Sequence, residues 1–136
     1  MALPANCNSS ECASQIHPKH RGICPTDWHI PNDAEWIALT SFVGANAGTK
    51  LKAASSWNSY IGVPSGTDAY GFAALPSGVG YSDGNFDEVG VRSFWWSTSE
   101  YSSDRTFTRS MLYNYDGAHW YDVNKNFLFS VRCVKD

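Results

Sequence analysis

The chain has 136 residues, a length that on ordinary size priors makes one domain able to bury a core of its own. Charged residues are only 17% of it and the net charge is −3, with ten Lys and Arg scattered rather than clustered, which argues against nucleic acid or anionic membranes as partners. Twenty aromatic side chains (six Trp, seven Tyr, seven Phe) among abundant Gly, Ser, Asn and Thr suit a loop-rich, β-containing domain, not a helical bundle or a disordered tail.

Residues 1–23 are polar and irregular and are expected to form a cysteine-containing loop segment ahead of a single domain over 24–136. Met1-Ala2-Leu3-Pro4 has neither the basic region nor the apolar run of a signal peptide, and no stretch approaches the ~18 apolar residues of a membrane span. The expectation is a soluble, monomeric piece of a longer exported protein. The four cysteines are an even count that favours disulfides and an oxidising compartment. Cys7 and Cys12 suit a small local loop. Cys24 and Cys133 would join the two ends of the main body, closing a loop worth about 4–5 kcal/mol in the chain-entropy model.

"WHIPNDAEWIALTSFVG" is the first strong structural signal. Asn32 is a good N-cap, Glu35 completes a capping box, and Trp36, Leu39, Thr40 and Val43 share one helical face that ends near Gly44. "AGTKLKAAS" predicts a second, shorter helix, ended by a loop at Trp57-Asn58. Loop residues dominate 58–71 and 76–90 around the apolar "FAAL". Four strand-like runs follow: "SFWWSTSEY", "RTFTRSMLYNY", "AHWYDVN" and "FLFSVRCV". Tyr115-Asp116-Gly117-Ala118 is a hairpin signal between the second and third. The predicted class is α+β, with helices segregated from an antiparallel meander.

The adjacent Trp95 and Trp96 must face opposite ways on their strand. Trp96 shares its face with Phe94 and is the safer core residue. Trp95 has only small hydroxyl neighbours and needs cover from the helices or the 58–71 loop.

Three constellations suggest chemistry and each has a plainer reading. Gly80-Tyr81-Ser82-Asp83-Gly84 fits G-x-S-x-G, with Asp116 and His119 following in hydrolase order, but no helical periodicity follows and a turn is the expected reading. Cys7, Cys12, His17 and His20 could be written as a zinc site, yet the pairs lie too close together for an ordinary finger. Asp83, Asn85, Asp87 and Glu88 alternate oxygen ligands without meeting the EF-hand pattern, which leaves a non-EF calcium loop open while the expected cofactor is none. Asn8-Ser9-Ser10 is a formal glycosylation sequon.

The aromatic and amide-rich loops carry the functional expectation. Trp57, Asn58, Tyr60, Asp68 and Tyr70 lie in the long insertion, while Glu100, Tyr101, Arg105, Tyr113, Asn114, Tyr115, His119, Trp120 and Tyr121 lie at strand ends and turns. Aromatic rings stack on the apolar faces of sugars, and amides, carboxylates and guanidinium groups bond their hydroxyls. Tyr- and Ser-rich loops also suit protein recognition. The set therefore predicts a non-catalytic module binding carbohydrate or a cell-surface partner, with a purely structural or protein-interaction domain as the alternative.

At "GICPTDWHIPNDAEWIAL", "AGTKLKAASSWN", "TDAYGFAALPSG", "YSDGNF", "FWWSTSE" and "FSVRCVKD" the chain resembles the Fibrobacter succinogenes major paralogous domain, over about residues 22–136. Asp27 departs from the pattern, where the family commonly has Gly. The resemblance implies a C-type-lectin-like fold, shared with formylglycine-generating enzymes, in which two helices pack on a twisted antiparallel sheet with long loops on one side. It also implies a bridge between Cys24 and Cys133, a secreted or bacterial cell-surface location, and no established activity. The Trp-Asn-Asp and Glu-Pro-Asn triplets of calcium-dependent sugar-binding lectins are absent, so the resemblance does not carry that mechanism over.

Overall fold

A capping box opens the main body. In the computed structural model, which describes Cys7 and residues 10–136, Asn32 Oδ1 accepts from the Glu35 N–H and Glu35 Oε2 accepts from the Asn32 N–H. Two orphan amides are thereby satisfied at the start of α1, Asp33–Val43. Gly44 ends it at φ +72°, a conformation that favours glycine. α1 buries Trp36 and Val43. α2, Ala47–Leu51, is shorter than the expected helix and almost wholly buried. Its Gly48 has no room for a side chain, because a Cβ there would lie 2.2 Å from the Gly117 carbonyl oxygen. Asn8 and Ser9 of the sequon and the first six residues lie outside the described residues.

The architecture is α+β, with two helices and several antiparallel sheets. β1, Trp28–His29, pairs with β7, Val134–Lys135, so the two ends of the main body close on one another. β2, Val79–Gly80, and β3, Phe86–Asp87, form a small hairpin. β4, Arg92–Glu100, β5, Arg105–Leu112, and β6, His119–Asn124, form a three-stranded sheet in that order. Three of the expected strands are present, two of them within a residue at each end, while the second ends at Leu112, three residues before the expected end of its run. The fourth is corrected: of "FLFSVRCV" only Val134 joins a strand. Leu128 exchanges backbone hydrogen bonds with Gly80, and Ser130 bridges β4 between Phe94 and Trp96, so the segment crosses from one sheet margin to the next without forming a continuous ladder. The Asp116-Gly117 hairpin is present but wider than a two-residue turn, its loop spanning 113–118.

The tryptophan pair resolves in the opposite sense to the expectation. Trp95 is 5% exposed and belongs to the main core with Trp36, Leu51, Trp57 and Met111. Its cover comes from α1 and from Phe72, whose ring meets Trp36 at 6.2 Å and Trp95 at 6.4 Å between centroids. Trp96 is only partly buried, tilted against Phe129 at 4.8 Å. Burying one indole removes about 200 Å² from water, worth roughly 5 kcal/mol by area before entropy is counted. That deeper burial belongs to Trp95.

Ionic contacts tie the layers together. Arg109 of β5, 4% exposed at its side chain, approaches Asp33 Oδ1 of α1 at 2.7 Å as an ion pair not aligned for a hydrogen bond. Lys52 is fully buried and donates to the carbonyls of Leu112 and Tyr115 at 3.0 and 3.1 Å, which anchors the 113–118 loop. Burial pulls its ammonium below the ordinary lysine range, partly offset by Asp116. Both disulfides are formed, Cys7–Cys12 and Cys24–Cys133. Among the described residues no helix is long and apolar enough to cross a membrane.

Candidate functional site

β6 is the outermost strand of the main sheet, and the register decides what its side chains meet. Trp95, Arg109 and Trp120 lie in line across the three strands on the helix-covered face. α1 packs on β4 and β5. Trp120 thus falls beyond the helix and is 57% exposed, against 5% for Trp95. Phe107, one residue pair along, sits between Trp120 at 5.8 Å and Tyr101 at 5.4 Å, and Tyr101 is 56% exposed. Beside this triad Arg105 donates from Nε to Asp122 Oδ2 at 2.5 Å and from Nη2 to the Asp122 carbonyl at 2.6 Å. The result is two exposed aromatic rings held by a third, next to an ordered pair of strong hydrogen-bonding groups.

The opposite face of β6 carries a second aromatic array. Tyr115 lies over His119 at 4.4 Å, His119 meets Tyr121 at 6.3 Å, and Tyr121 meets Phe94 at 5.9 Å. Phe94 stacks on Phe129 at 4.7 Å, and Phe129 on Phe127 at 5.4 Å. Face-to-face stacking of the inner rings consumes their π-faces and leaves edges outward, so they act as a second packing layer. Tyr115 and Tyr121, at the outer end, remain exposed.

The expected site residues therefore divide. Tyr101, Arg105, Tyr115, His119, Trp120 and Tyr121 gather on the two sides of β6. Tyr60 and Tyr113 pair edge to face at 5.6 Å, with Tyr113 packed against the core. Tyr70 packs on Phe42 instead, at 5.7 Å. Asn58 is exposed, with its backbone N–H bonded to the Gly90 carbonyl, and Asn114 is exposed in the 113–118 loop. Asp68 is a turn lock, its Oδ1 accepting from the Ala73 N–H at 2.6 Å. Trp57 is corrected to the core: it is 7% exposed and its Nε1 donates to the Ala74 carbonyl at 2.9 Å, which satisfies the indole without solvent.

Glu100 is the other correction. Its side chain is 6% exposed and pairs with Lys125 Nζ at 2.5 Å, while its oxygens accept from the backbone N–H groups of Cys12 at 2.9 Å and Ala13 at 2.6 Å. Burial alone would raise this carboxyl, but the Lys125 and backbone donors outweigh it and hold the group below its usual range. Glu100 is a latch that fixes the N-terminal segment to the sheet. Phe107 and Asp122 were missed as site residues; alternation places Asp122 on the face of Trp120, which is the signal that finds it.

The remaining constellations take ordinary positions. Ser82 lies exposed on the β2–β3 hairpin, where the Tyr81 N–H donates to the Asn85 carbonyl and the Gly84 N–H to the Tyr81 carbonyl, and not on a strand-to-helix turn. Cys7 and Cys12 are bonded to each other and offer no thiolate. In the loop considered for calcium, Asp83 is occupied by Asn85, Asp87 by the Glu88 N–H, and Glu88 by Arg92. Among the described residues no three His, Cys, Asp or Glu side chains converge on a common point for a metal ion.

Residues 9–135 match the family model described as the Fibrobacter succinogenes major domain. Neither a curated protein nor a solved structure matches the chain significantly.

Proposed function

From a chain that belongs to the Fibrobacter succinogenes major domain family, we infer a non-catalytic recognition module of a secreted or bacterial cell-surface protein, binding a carbohydrate chain along the exposed flank of β6. The observation that carries this reading is the Tyr101–Phe107–Trp120 triad beside the Arg105–Asp122 pair. Exposed rings offer apolar faces to the C–H side of a sugar, and a preformed guanidinium–carboxylate pair bonds hydroxyls without first being ordered. Supporting the C-type-lectin-like frame are α1 packed on β4 and β5 of an antiparallel sheet, α2 beside α1, and a main body closed by β1–β7 and Cys24–Cys133. The two disulfides suit an oxidising compartment.

A panel of soluble glycans and insoluble polysaccharides tests the proposal. At least one member should bind, and Trp120→Ala or Tyr101→Ala should weaken it by tenfold or more while lowering the denaturation midpoint only slightly. Failure of the wild-type protein to bind any member would sink the sugar reading. A second reading, strand addition by a protein partner, is favoured by β6 having β5 as its one strand neighbour among the described residues. It predicts capture of a discrete protein from envelope extracts and indifference to every glycan.

A further inference from the structure

A cleft of about 350 Å³ opens elsewhere on the molecule, between the first turns of α1 and the β1–β7 pair. It shares no lining residue with the β6 flank. Its size lies in the range of small-molecule sites, and its walls are apolar: Trp28, Trp36, Leu39 and Phe72. Trp36 is buried at the back, while Trp28 is 39% exposed.

The charges around this cleft are unbalanced. Arg132 and Lys135 both line it, and among the described residues neither is paired with a carboxylate. Arg132 is held in place by its guanidinium lying 4.1 Å over the Phe72 ring and donating to the Phe72 carbonyl, which uses one edge of the group. The one carboxylate in the lining, Glu35, has both oxygens engaged, Oε1 with His29 Nε2 at 2.8 Å and Oε2 with the Asn32 N–H at 2.9 Å. His29, 1% exposed, is gripped on its other nitrogen by Asp136 at 2.6 Å. The Glu35 oxygens are thus already occupied, and a preoriented guanidinium and an ammonium remain, among the described residues, without a carboxylate partner beside an apolar hollow.

We propose that this cleft is a second binding site, for a small carboxylate with an apolar alkyl or aryl body. The body fills the space between Trp28, Leu39 and Phe72, and the carboxylate takes the free edge of Arg132 with Lys135 as the second cation. A planar guanidinium matches a carboxylate in two parallel hydrogen bonds, which sets orientation as well as charge. A neutral ligand of the same shape leaves the charge recognition unused.

Titration calorimetry and tryptophan fluorescence with octanoate and 3-phenylpropanoate, each beside its neutral amide, test the assignment. The acids should bind at least tenfold more tightly than their amides and shift the Trp emission. A preference between octanoate and 3-phenylpropanoate decides between the alkyl and aryl classes. Lys135→Gln, at an exposed position, should weaken the acid several-fold, and Arg132→Met at least tenfold. Arg132 also supports Phe72, so if Arg132→Met does not fold, Leu39→Trp, which fills the hollow, should abolish binding in a folded protein. Trp120→Ala should leave acid binding intact. Equal binding of acid and amide, no binding of either acid by the wild-type protein, or undiminished binding by Leu39→Trp would each overturn the proposal.

Discussion

β4 and β6 are drawn from the same aromatic alphabet and come to opposite ends. β4 lies under α1 on one side and against the 127–130 segment on the other, so Phe94 and Trp95 are buried and its terminal Glu100 is locked inside an ion pair. β6, two strands away, presents Trp120 and Tyr121 to water on its two faces. Position in the sheet, and not the aromatic residue itself, separates core from surface. That is why composition alone draws attention to the right residue types and assigns several of them to the wrong place.

The widest separation expected between the two strands is at their register-matched tryptophans. Trp95→Ala should cost about 3–5 kcal/mol, since it removes a core indole that packs edge-on against Phe72. Trp120→Ala should cost only about 1 kcal/mol, since the exposed indole gives up little more than its edge contact with Phe107. Urea midpoints measure both, and similar losses would abolish the distinction between inner strand and rim.

Next in size is the latch at the end of β4. Lys125→Met leaves the Glu100 carboxylate buried without its cation and should cost about 3–5 kcal/mol at neutral pH if the pair stays closed to water. The depressed carboxyl adds a pH signature. Its stabilising contribution is complete above the ordinary value of 4.5 and fades as pH falls through the lower folded value. Thermal melts of wild type and Glu100→Gln across pH 2.5–6 should converge at the acid end (a window set by that shift).

His29 produces a smaller effect of opposite sign. Burial by itself lowers the imidazole, but the hydrogen bonds to Glu35 and Asp136 and their charges prevail, so it titrates above its usual 6.5. The folded protein then binds more protons than the unfolded chain around neutrality. The stabilisation is fully present below 6.5 and is lost as pH rises through the raised value. Wild type should lose melting temperature over that interval while His29→Gln stays flat.

The smallest change concerns the turn leading into β1. Asp27 sits at φ +63°, a left-handed conformation that glycine adopts without a Cβ penalty. Asp27→Gly should gain about 0.5–1 kcal/mol at most, read as a small rise in midpoint. A loss would mean that the aspartate contributes something beyond backbone shape.

How much of this was legible in the sequence follows from the range of each interaction. α1 was legible because its cap, its stripe and its terminal glycine are all local: Asn32, Glu35, Trp36 and Gly44 suffice. β4, β5 and β6 were legible from β-rich runs divided by turn residues. "FLFSVRCV" misled because Phe127 and Phe129 alternate as a strand would, yet their backbone finds partners in two different places, at Gly80 and along β4. Trp57 and Glu100 were misplaced because what satisfies them is remote: the Ala74 carbonyl for the indole, Lys125 and the backbone of Cys12 for the carboxylate. The clustering around β6 was partly visible, since Tyr115, His119 and Trp120 flank one Asp-Gly turn. The Arg105–Asp122 pair needed the register.

The Cys24–Cys133 bridge has a mechanical consequence. It makes 109 residues of sequence separation into a covalent ring, and β1 and β7 lie beside the clasp. Tension entering along the chain before Cys24 and leaving after Cys133 passes through sulfur, so the sheet inside the ring is not stretched. What can peel under such a load is the segment before Cys24, held by the Glu100–Lys125 latch and its own small Cys7–Cys12 loop. A pulled molecule should therefore extend by that short tether and then stop, with its β6 rim still in shape.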